Sequence, residues 1–156
     1  MECFKTNPEE RCERCSFPVC NQTCAVGINH GKECKAIADS GFKYIYQGDT
    51  TFSAFTVLRL LLNCNPQEPS TVNKIKLTHH NEDRRIEHPK IWGFEQEHIV
   101  NFIQEELRMK HNFSSECIQT AMGVLATNST SLQLGSEFGK GFGLFPVYSM
   151  MNHSCM

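Results

Sequence analysis

The feature that most constrains this chain is a run of cysteines and one histidine near its N-terminus. Within residues 12–34 these side chains form three closely spaced pairs, Cys12-x2-Cys15, Cys20-x3-Cys24 and His30-x3-Cys34. A pair held on one turn supplies half of a tetrahedral zinc site, so three pairs fall two ligands short of two full sites. The shortfall points upstream, to Cys3. The spacing therefore predicts zinc coordination.

Two alternatives to zinc are a disulfide framework and a set of unrelated thiols. Disulfides form in oxidising compartments, yet residues 1–15 contain no apolar segment of the kind that a secretory signal requires. Unrelated cysteines do not normally occur in pairs at ligand spacing that end in a His-x3-Cys pair. We therefore expect zinc, and a location in the cytoplasm, the nucleus or both.

Composition limits the classes of function. The 156 residues, 40% of them hydrophobic, suit one ordinary domain, or a small metal module with a modest second unit. Fifteen basic and 17 acidic residues give a formal net charge of −2, so the chain has no overall positive field for nucleic acid. The longest apolar run, residues 52–62, is shorter than the ~20 residues of a membrane-spanning helix. We expect neither nucleic acid nor a membrane as a partner.

Apolar periodicity predicts three helices before residue 128. The first has Ser53 as its N-cap and ends before Asn65. The second, from Glu95 to Lys110, has acidic residues near its start and basic residues near its end, and the third begins at Ser114 or Ser115. The expected buried faces are Phe55, Leu58, Leu61 and Leu62; Ile99, Phe102, Ile103 and Leu107; and Ile118, Ala121, Met122 and Leu125. Because each helix has one apolar face, we expect the three to share a core.

Residues 65–89 contain three prolines and a charged run, and are predicted to form a solvated connector with a short helix over residues 72–79. The adjacent His79 and His80 suggest a metal pair at first sight. Neighbouring residues on a helix point about 100° apart, however, so they are poorly placed to share an ion. The connector is the favoured interpretation.

From Asn128 onward, short apolar pieces alternate with glycines, which is typical of strands joined by tight turns. The spacing Gly139-x-Gly141-x-Gly143 matches no phosphate-binding loop, because no helix start follows it. The expected fold class is therefore α+β, with an N-terminal zinc module, a helical middle and a β-rich C-terminal part.

Two motifs resemble those of a known enzyme family. Residues 141–146, Gly-Phe-Gly-Leu-Phe-Pro, followed by Asn152-His153-Ser154-Cys155, resemble a strand and a motif of SET-domain lysine methyltransferases. The cysteine-rich stretch resembles a MYND zinc finger. The two motifs in this order, with Trp92 and residues 123–128 between them, resemble the SET and MYND domain (SMYD) family in its divergent arthropod branch. The resemblance divides the chain into a MYND-type finger (1–38), a helical SET insert (39–128) and a partial SET core (129–156).

The MYND resemblance implies which residues share a metal, because alternate pairs of that finger bind one ion. It places Cys12, Cys15, His30 and Cys34 on one zinc. It assigns Cys3, Cys20 and Cys24 to a second zinc, whose fourth ligand we expect before residue 1. One tightly held and one weakly held zinc ion are the expected result.

The SET resemblance implies transfer of a methyl group from S-adenosylmethionine to a lysine of a histone or non-histone protein. By position in the motifs, Asn128, Asn152 and His153 would contact the cofactor. Ser129-Thr130 departs from the family pattern at the pocket wall, and the family's tyrosine at the lysine channel has no counterpart, so no catalytic residue is assigned. We expect a fragment, truncated at both ends and inactive by itself.

A different class of function is also open. MYND fingers dock proline-rich peptides, so the chain is alternatively a non-catalytic, zinc-dependent protein-interaction module, with the surface from Cys20 to His30 as its peptide groove. The expected partner is thus either a protein substrate or a proline-rich peptide.

Overall fold

The structure, a computed structural model, describes residues 10–43, 49–64, 81–133 and 140–145. This part of the chain is mostly helical and carries two small antiparallel sheets, which confirms the α+β class. No helix among these residues is both long enough and apolar enough to cross a membrane. The strands are β1 (Glu10–Arg11), β2 (Pro18–Val19), β3 (Ser129–Gln133) and β4 (Lys140–Leu144). The helices are α1 (Gln22–Ala25), α2 (Ile28–Ser40), α3 (Asp49–Asn63), α4 (Glu82–Ile86), α5 (Pro89–Glu95) and α6 (Ser115–Asn128), with the π-helical segments π1 (Gln96–Val100) and π2 (Phe102–Glu106).

One hydrophobic core joins the N-terminal hairpin to the helices. Helix α3 contributes five of the buried side chains described in this core, namely Ala54, Phe55, Val57, Leu58 and Leu61. Aromatic rings connect the parts edge to face, because Phe55 lies 5.4 Å from Phe17 of the hairpin loop and 5.6 Å from Phe102 of π2, centroid to centroid. The prediction that Leu61 and Phe102 belong to one core is confirmed.

Two predicted helix starts and one predicted end are wrong. Helix α3 begins at Asp49, so Ser53 lies inside it. The prediction placed the helix start next to the first residue of the apolar face, but the first turn of a helix can lie before that face begins. The second helix begins at Pro89 rather than Glu95, because proline is favoured at the first helical position. It ends at Glu106, and Arg108 beyond it has a left-handed backbone, with φ 54°.

The other predicted helix limits agree with the structure. Helix α3 ends at Asn63, and α6 runs from Ser115 to Asn128. The hydroxyl of Ser114 caps α6 by accepting a hydrogen bond of 3.1 Å from the backbone N–H of Cys117. Of the predicted face of α6, Ile118, Ala121 and Met122 are buried and Leu125 is partly buried.

The charged run before Pro89 is not simply a solvated connector. Residues 82–86 form α4, and Arg85 on this helix is buried. Its guanidinium donates to the Gln119 carbonyl oxygen at 2.8 Å and to Glu95 Oε2 at 2.6 Å, and it lies 5.5 Å from the ring centre of Trp92. A buried charge is tolerated when it is paired in this way. The predicted helix over residues 72–79 and His79-His80 lie outside the described residues.

The predicted strands after Asn128 are present. β3 follows α6 directly and pairs antiparallel with β4, with Ser129 opposite Leu144 and Gln133 opposite Lys140. Gly141 and Gly143 lie in β4, and Gly139 lies outside the described residues. The helical unit therefore leads straight into a β-hairpin.

Candidate metal centre

Four predicted ligands meet at one place in the structure. The sulfur atoms of Cys12, Cys15 and Cys34 and a ring nitrogen of His30 all lie within 4.8 Å of one another. All four residues are buried. The arrangement could hold a metal ion, and it joins the two outer pairs of the cysteine-rich stretch without the pair between them.

The loop between β1 and β2 presents the first two ligands. The backbone N–H of Cys12 donates to the Phe17 carbonyl at 2.9 Å, and the N–H of Ser16 donates to the Cys12 carbonyl at 2.8 Å. Ser16 has a left-handed backbone, with φ 63°, directly after Cys15. This reversal lets the chain turn back into β2 while both sulfur atoms point to one side, as a Cys-x2-Cys pair requires.

Helix α2 presents the other two ligands. His30 and Cys34 are four residues apart, so they lie one turn apart on the same face of the helix. The helix begins after Gly27 and ends at Ser40. The next residue, Gly41, caps it with a left-handed φ of 78°, and its N–H donates to the Ala38 carbonyl at 3.1 Å. The ring of Phe17 lies 6.0 Å from the His30 ring and so covers the ligand from the hairpin side.

Two of the separations between these atoms are close to those around a zinc ion. Cys12 Sγ lies 3.7 Å from Cys34 Sγ, and Cys15 Sγ lies 3.8 Å from His30 Nε2. A tetrahedral zinc ion, with bonds of about 2.3 Å to sulfur and about 2.0 Å to nitrogen, separates two sulfurs by about 3.8 Å and a sulfur from a nitrogen by about 3.6 Å. Three thiols and an imidazole are also a ligand set that zinc prefers.

The thiols differ in their acidity. Burial raises the pKa of Cys15 to about 12 and also raises the pKa of Cys34, where the charge of Arg14 acts in the opposite direction. Burial acts on Cys12 in the same way, but hydrogen bonds, that of His30 foremost, outweigh it and lower its pKa to about 6. A metal ion would therefore meet one ready thiolate and would have to displace protons from two others.

A buried ion pair of the helix that carries His30 and Cys34 was not predicted from the sequence. Glu33 lies on α2 between His30 and Cys34 in sequence, is fully buried, and pairs with Arg59 of α3. The sequence did offer a signal, because Arg59 interrupts the otherwise apolar run of α3. An arginine at such a position needs a buried partner or an exit to solvent, and the apolar pattern does not identify that partner.

Two other predicted zinc ligands, Cys20 and Cys24, do not join this cluster. Cys20 lies two residues before the first residue of α1 and Cys24 lies within this helix, and both are half-buried. Asn21 caps α1 by accepting a hydrogen bond of 3.0 Å from the backbone N–H of Cys24. Cys3 lies outside the described residues. The second zinc site therefore stays a prediction.

The predicted cofactor residues are described only in part. Asn128 is the last residue of α6 and is half-buried, and its Nδ2 donates to the Val124 carbonyl at 3.0 Å. It lies where the helical unit meets β3. Asn152 and His153 lie outside the described residues. Their contact with S-adenosylmethionine stays a prediction.

Comparisons of the chain with protein-family models, with curated proteins and with solved structures give no match. Any function must therefore be argued from the cluster and from the motifs in the sequence.

Proposed function

We propose that Cys12, Cys15, His30 and Cys34 bind one zinc ion that fastens the β1–β2 hairpin to α2. The four side chains fill the four positions of a tetrahedral ion and are buried, so no position is left for a substrate. A closed site of this kind is structural. The zinc contributes to folding, and the chemistry of the protein takes place elsewhere.

We further propose that the protein is part of a SET and MYND domain lysine methyltransferase of the cytoplasm or nucleus. The observation that carries this proposal is the order of the ligands, since the cluster takes Cys12 and Cys15 with His30 and Cys34 and passes over the pair at Cys20 and Cys24. Interleaving of this kind is what the MYND resemblance implies. Neighbouring pairs that shared a metal would have argued against it.

S-adenosylmethionine would supply the methyl group: a neutral lysine amine would attack the methyl carbon in line with the bond to the positively charged sulfur, and this bond would break to leave a neutral thioether. The residues of this chain that would hold the cofactor are Asn128, Asn152 and His153. Their amide and imidazole groups offer the hydrogen bonds that orient it, and in such a transfer alignment provides much of the rate. The lysine would come from a protein substrate.

The test is to titrate S-adenosylmethionine into the zinc-loaded 156-residue chain and record NMR shifts, with a methyl-transfer assay in parallel. We expect weak, saturable shifts at Asn128 and at residues 152–153, without methyl transfer. Asn152→Ala should remove the shifts, whereas Asn101→Ala, at an exposed helical position, should leave them unchanged. No shift at millimolar cofactor would contradict the SET assignment, and methyl transfer would contradict the expected inactivity.

One observation favours the alternative function, a non-catalytic module that binds proline-rich peptides. Val26, between α1 and α2, is 71% exposed, and Ile28, the first residue of α2, is 80% exposed. Apolar side chains that are so exposed, beside a zinc-fastened hairpin, form a surface on which a proline-rich peptide can pack. They lie within the stretch from Cys20 to His30 that the sequence indicates for this role.

A fluorescent proline-rich peptide tests this alternative. Ile28→Asp should abolish its binding to the zinc-loaded protein, whereas Ile91→Asp, at a residue that is 52% exposed on α5, should leave binding unchanged. Equal losses in both variants would mean non-specific adhesion. Retained binding in Ile28→Asp would exclude this surface as the groove.

A further inference from the structure

A second surface of α2 borders a cavity of about 260 Å³. Lys32, Lys35 and Asp39 line it at helical spacing, on the side of α2 opposite His30 and Cys34. Leu62 at the end of α3 and four residues of the turn after π2 complete the wall, namely Leu107, Arg108, Met109 and Asn112. The cavity is therefore separate from the candidate metal cluster and from the exposed residues Val26 and Ile28.

The charges around this cavity are unbalanced. Lys35 pairs with Asp39, which Arg14 also approaches at 3.6 Å. Lys32 donates instead to the neutral side-chain oxygen of Asn63 at 3.0 Å. Among the described residues neither Lys32 nor Arg108 has a carboxylate partner. In a protein of net charge −2, these two cations give the cavity a local positive charge.

The backbone at Arg108 fixes that residue at the wall of the cavity. Its φ of 54° is left-handed, a conformation that glycine adopts without steric cost and that disfavours arginine. Hydrogen bonds hold the turn, with the Arg108 N–H donating to the Glu105 carbonyl at 3.3 Å and the Met109 N–H to the Ile103 carbonyl at 3.2 Å. Arginine at this position is less favourable for the stability of the fold than glycine would be, so fold stability alone does not explain its presence.

The remainder of the wall is apolar. Leu107 is buried, and Leu62 and Met109 are half-buried, so apolar surface lies beside the cations Lys32 and Arg108. The cavity is smaller than a pocket for a drug-sized ligand, and its size suits a single inserted side chain. A polyanion such as nucleic acid would need a wider field than two cations provide.

We propose that this cavity binds an acidic peptide segment of a partner protein. One apolar side chain of the peptide packs on Leu62 and Met109, and neighbouring carboxylates pair with Lys32 and Arg108. The complementarity of charge carries this assignment, because the cations are already in place and have no carboxylate partner among the residues that the structure describes. The proposal is independent of the methyltransferase assignment.

The probe is a synthetic peptide with one leucine flanked on each side by glutamates, added at millimolar concentration to the zinc-loaded full chain. We expect saturable NMR shifts at the methyl groups of Leu62 and Met109. Arg108→Gly and Lys32→Gln should each weaken binding about fivefold, as for an exposed charge pair. Arg108→Gly should not lower the melting temperature, because glycine suits the left-handed turn.

Matched controls distinguish binding in this cavity from non-specific electrostatic attraction between the acidic peptide and basic residues elsewhere on the surface. Lys110→Gln removes the same charge from the same turn, but Lys110 is exposed and pairs with Glu105 at 3.0 Å outside the cavity, so binding should not change. The proposal is overturned if Lys110→Gln weakens binding as much as Arg108→Gly does. It is also overturned if a glutamine version of the peptide binds equally well, if inorganic phosphate alone causes the same methyl shifts, or if the peptide causes none.

Discussion

The carboxylate of Glu33 accepts hydrogen bonds from Nε and Nη2 of Arg59, the second at 2.8 Å. Glu33 is fully buried on α2, between the proposed metal ligands His30 and Cys34 in sequence, and Arg59 is a partly exposed residue of α3. The ion pair thus joins the helix that carries half of the metal cluster to the principal helix of the core. Metal binding and helix packing should consequently be coupled.

Removing the cation from this pair should destabilise the fold. Arg59→Met leaves the Glu33 carboxylate buried without its partner, and we expect a loss of about 2 kcal/mol in the free energy of unfolding, below the usual range because Arg59 is partly exposed. Urea denaturation measures this loss, with Arg84→Met on the exposed face of α4 as a control that should change little. The double variant Glu33→Gln/Arg59→Met should recover part of the loss. A loss no larger than in the control would show that the pair is not stabilising.

The aromatic part of the core gives a second prediction. Phe102 packs edge to face on Phe42 and Phe55 at 5.2 and 5.6 Å, so Phe102→Ala should cost about 3 kcal/mol. Phe94→Ala removes the same ring from a residue that is 49% exposed on α5, and should cost less than about 0.5 kcal/mol. Equal melting temperatures for the two variants would mean that π2 does not pack on α3.

The helices were predictable because apolar spacing indicates which face is buried. The faces of α3 and α6 follow directly from residues such as Leu58 and Ile118, and the cap at Ser114 follows from its residue type. Two helix starts could not be predicted from this spacing, because Asp49 and Pro89 lie before the apolar pattern begins. The burial of Arg85 was also missed, since its partners Glu95 and Gln119 are distant in sequence.

The candidate site was predictable where the ligands are encoded in short spacings. Cys12 with Cys15 and His30 with Cys34 each follow from one turn of chain, and the resemblance supplied the way in which the two pairs combine. The support from Glu33 and Arg59 could not be predicted, because a contact between two helices depends on how they pack. The same holds for the cavity beside Lys32 and Arg108.

Zinc affinity should depend on pH through the thiols. In the metal-free protein the pKa of Cys15 is about 12 and that of Cys34 is raised, so at neutral pH zinc must displace about two protons. Affinity should therefore fall about 100-fold for each unit by which the pH is lowered. The fall should steepen as Cys12 takes up its proton around pH 6. Calorimetry in buffers of different ionisation enthalpy counts the protons, and a pH-independent affinity would show that thiolates are not the ligands.

Loss of one ligand should unfold the hairpin locally. Zinc binding and folding are linked in such modules, so Cys15→Ala should remove hydrogen-exchange protection from residues 12–34. Protection of α6 should persist, because its contacts with α3 do not involve the metal. Cys117→Ala, which removes an exposed thiol from α6, should leave both regions protected. Full protection of the hairpin in Cys15→Ala would separate its folding from the metal.

Zinc content after mild chelation tests the central claim most directly. The purified chain should retain one zinc ion per molecule, because Cys12, Cys15, His30 and Cys34 form a closed and buried set. Cys20→Ser, at a predicted ligand outside the cluster, should retain that ion, and Cys15→Ser should lose it. A parent chain that retains no zinc, or a Cys15→Ser variant that retains as much as the parent, would contradict the assignment of these four residues as the metal site.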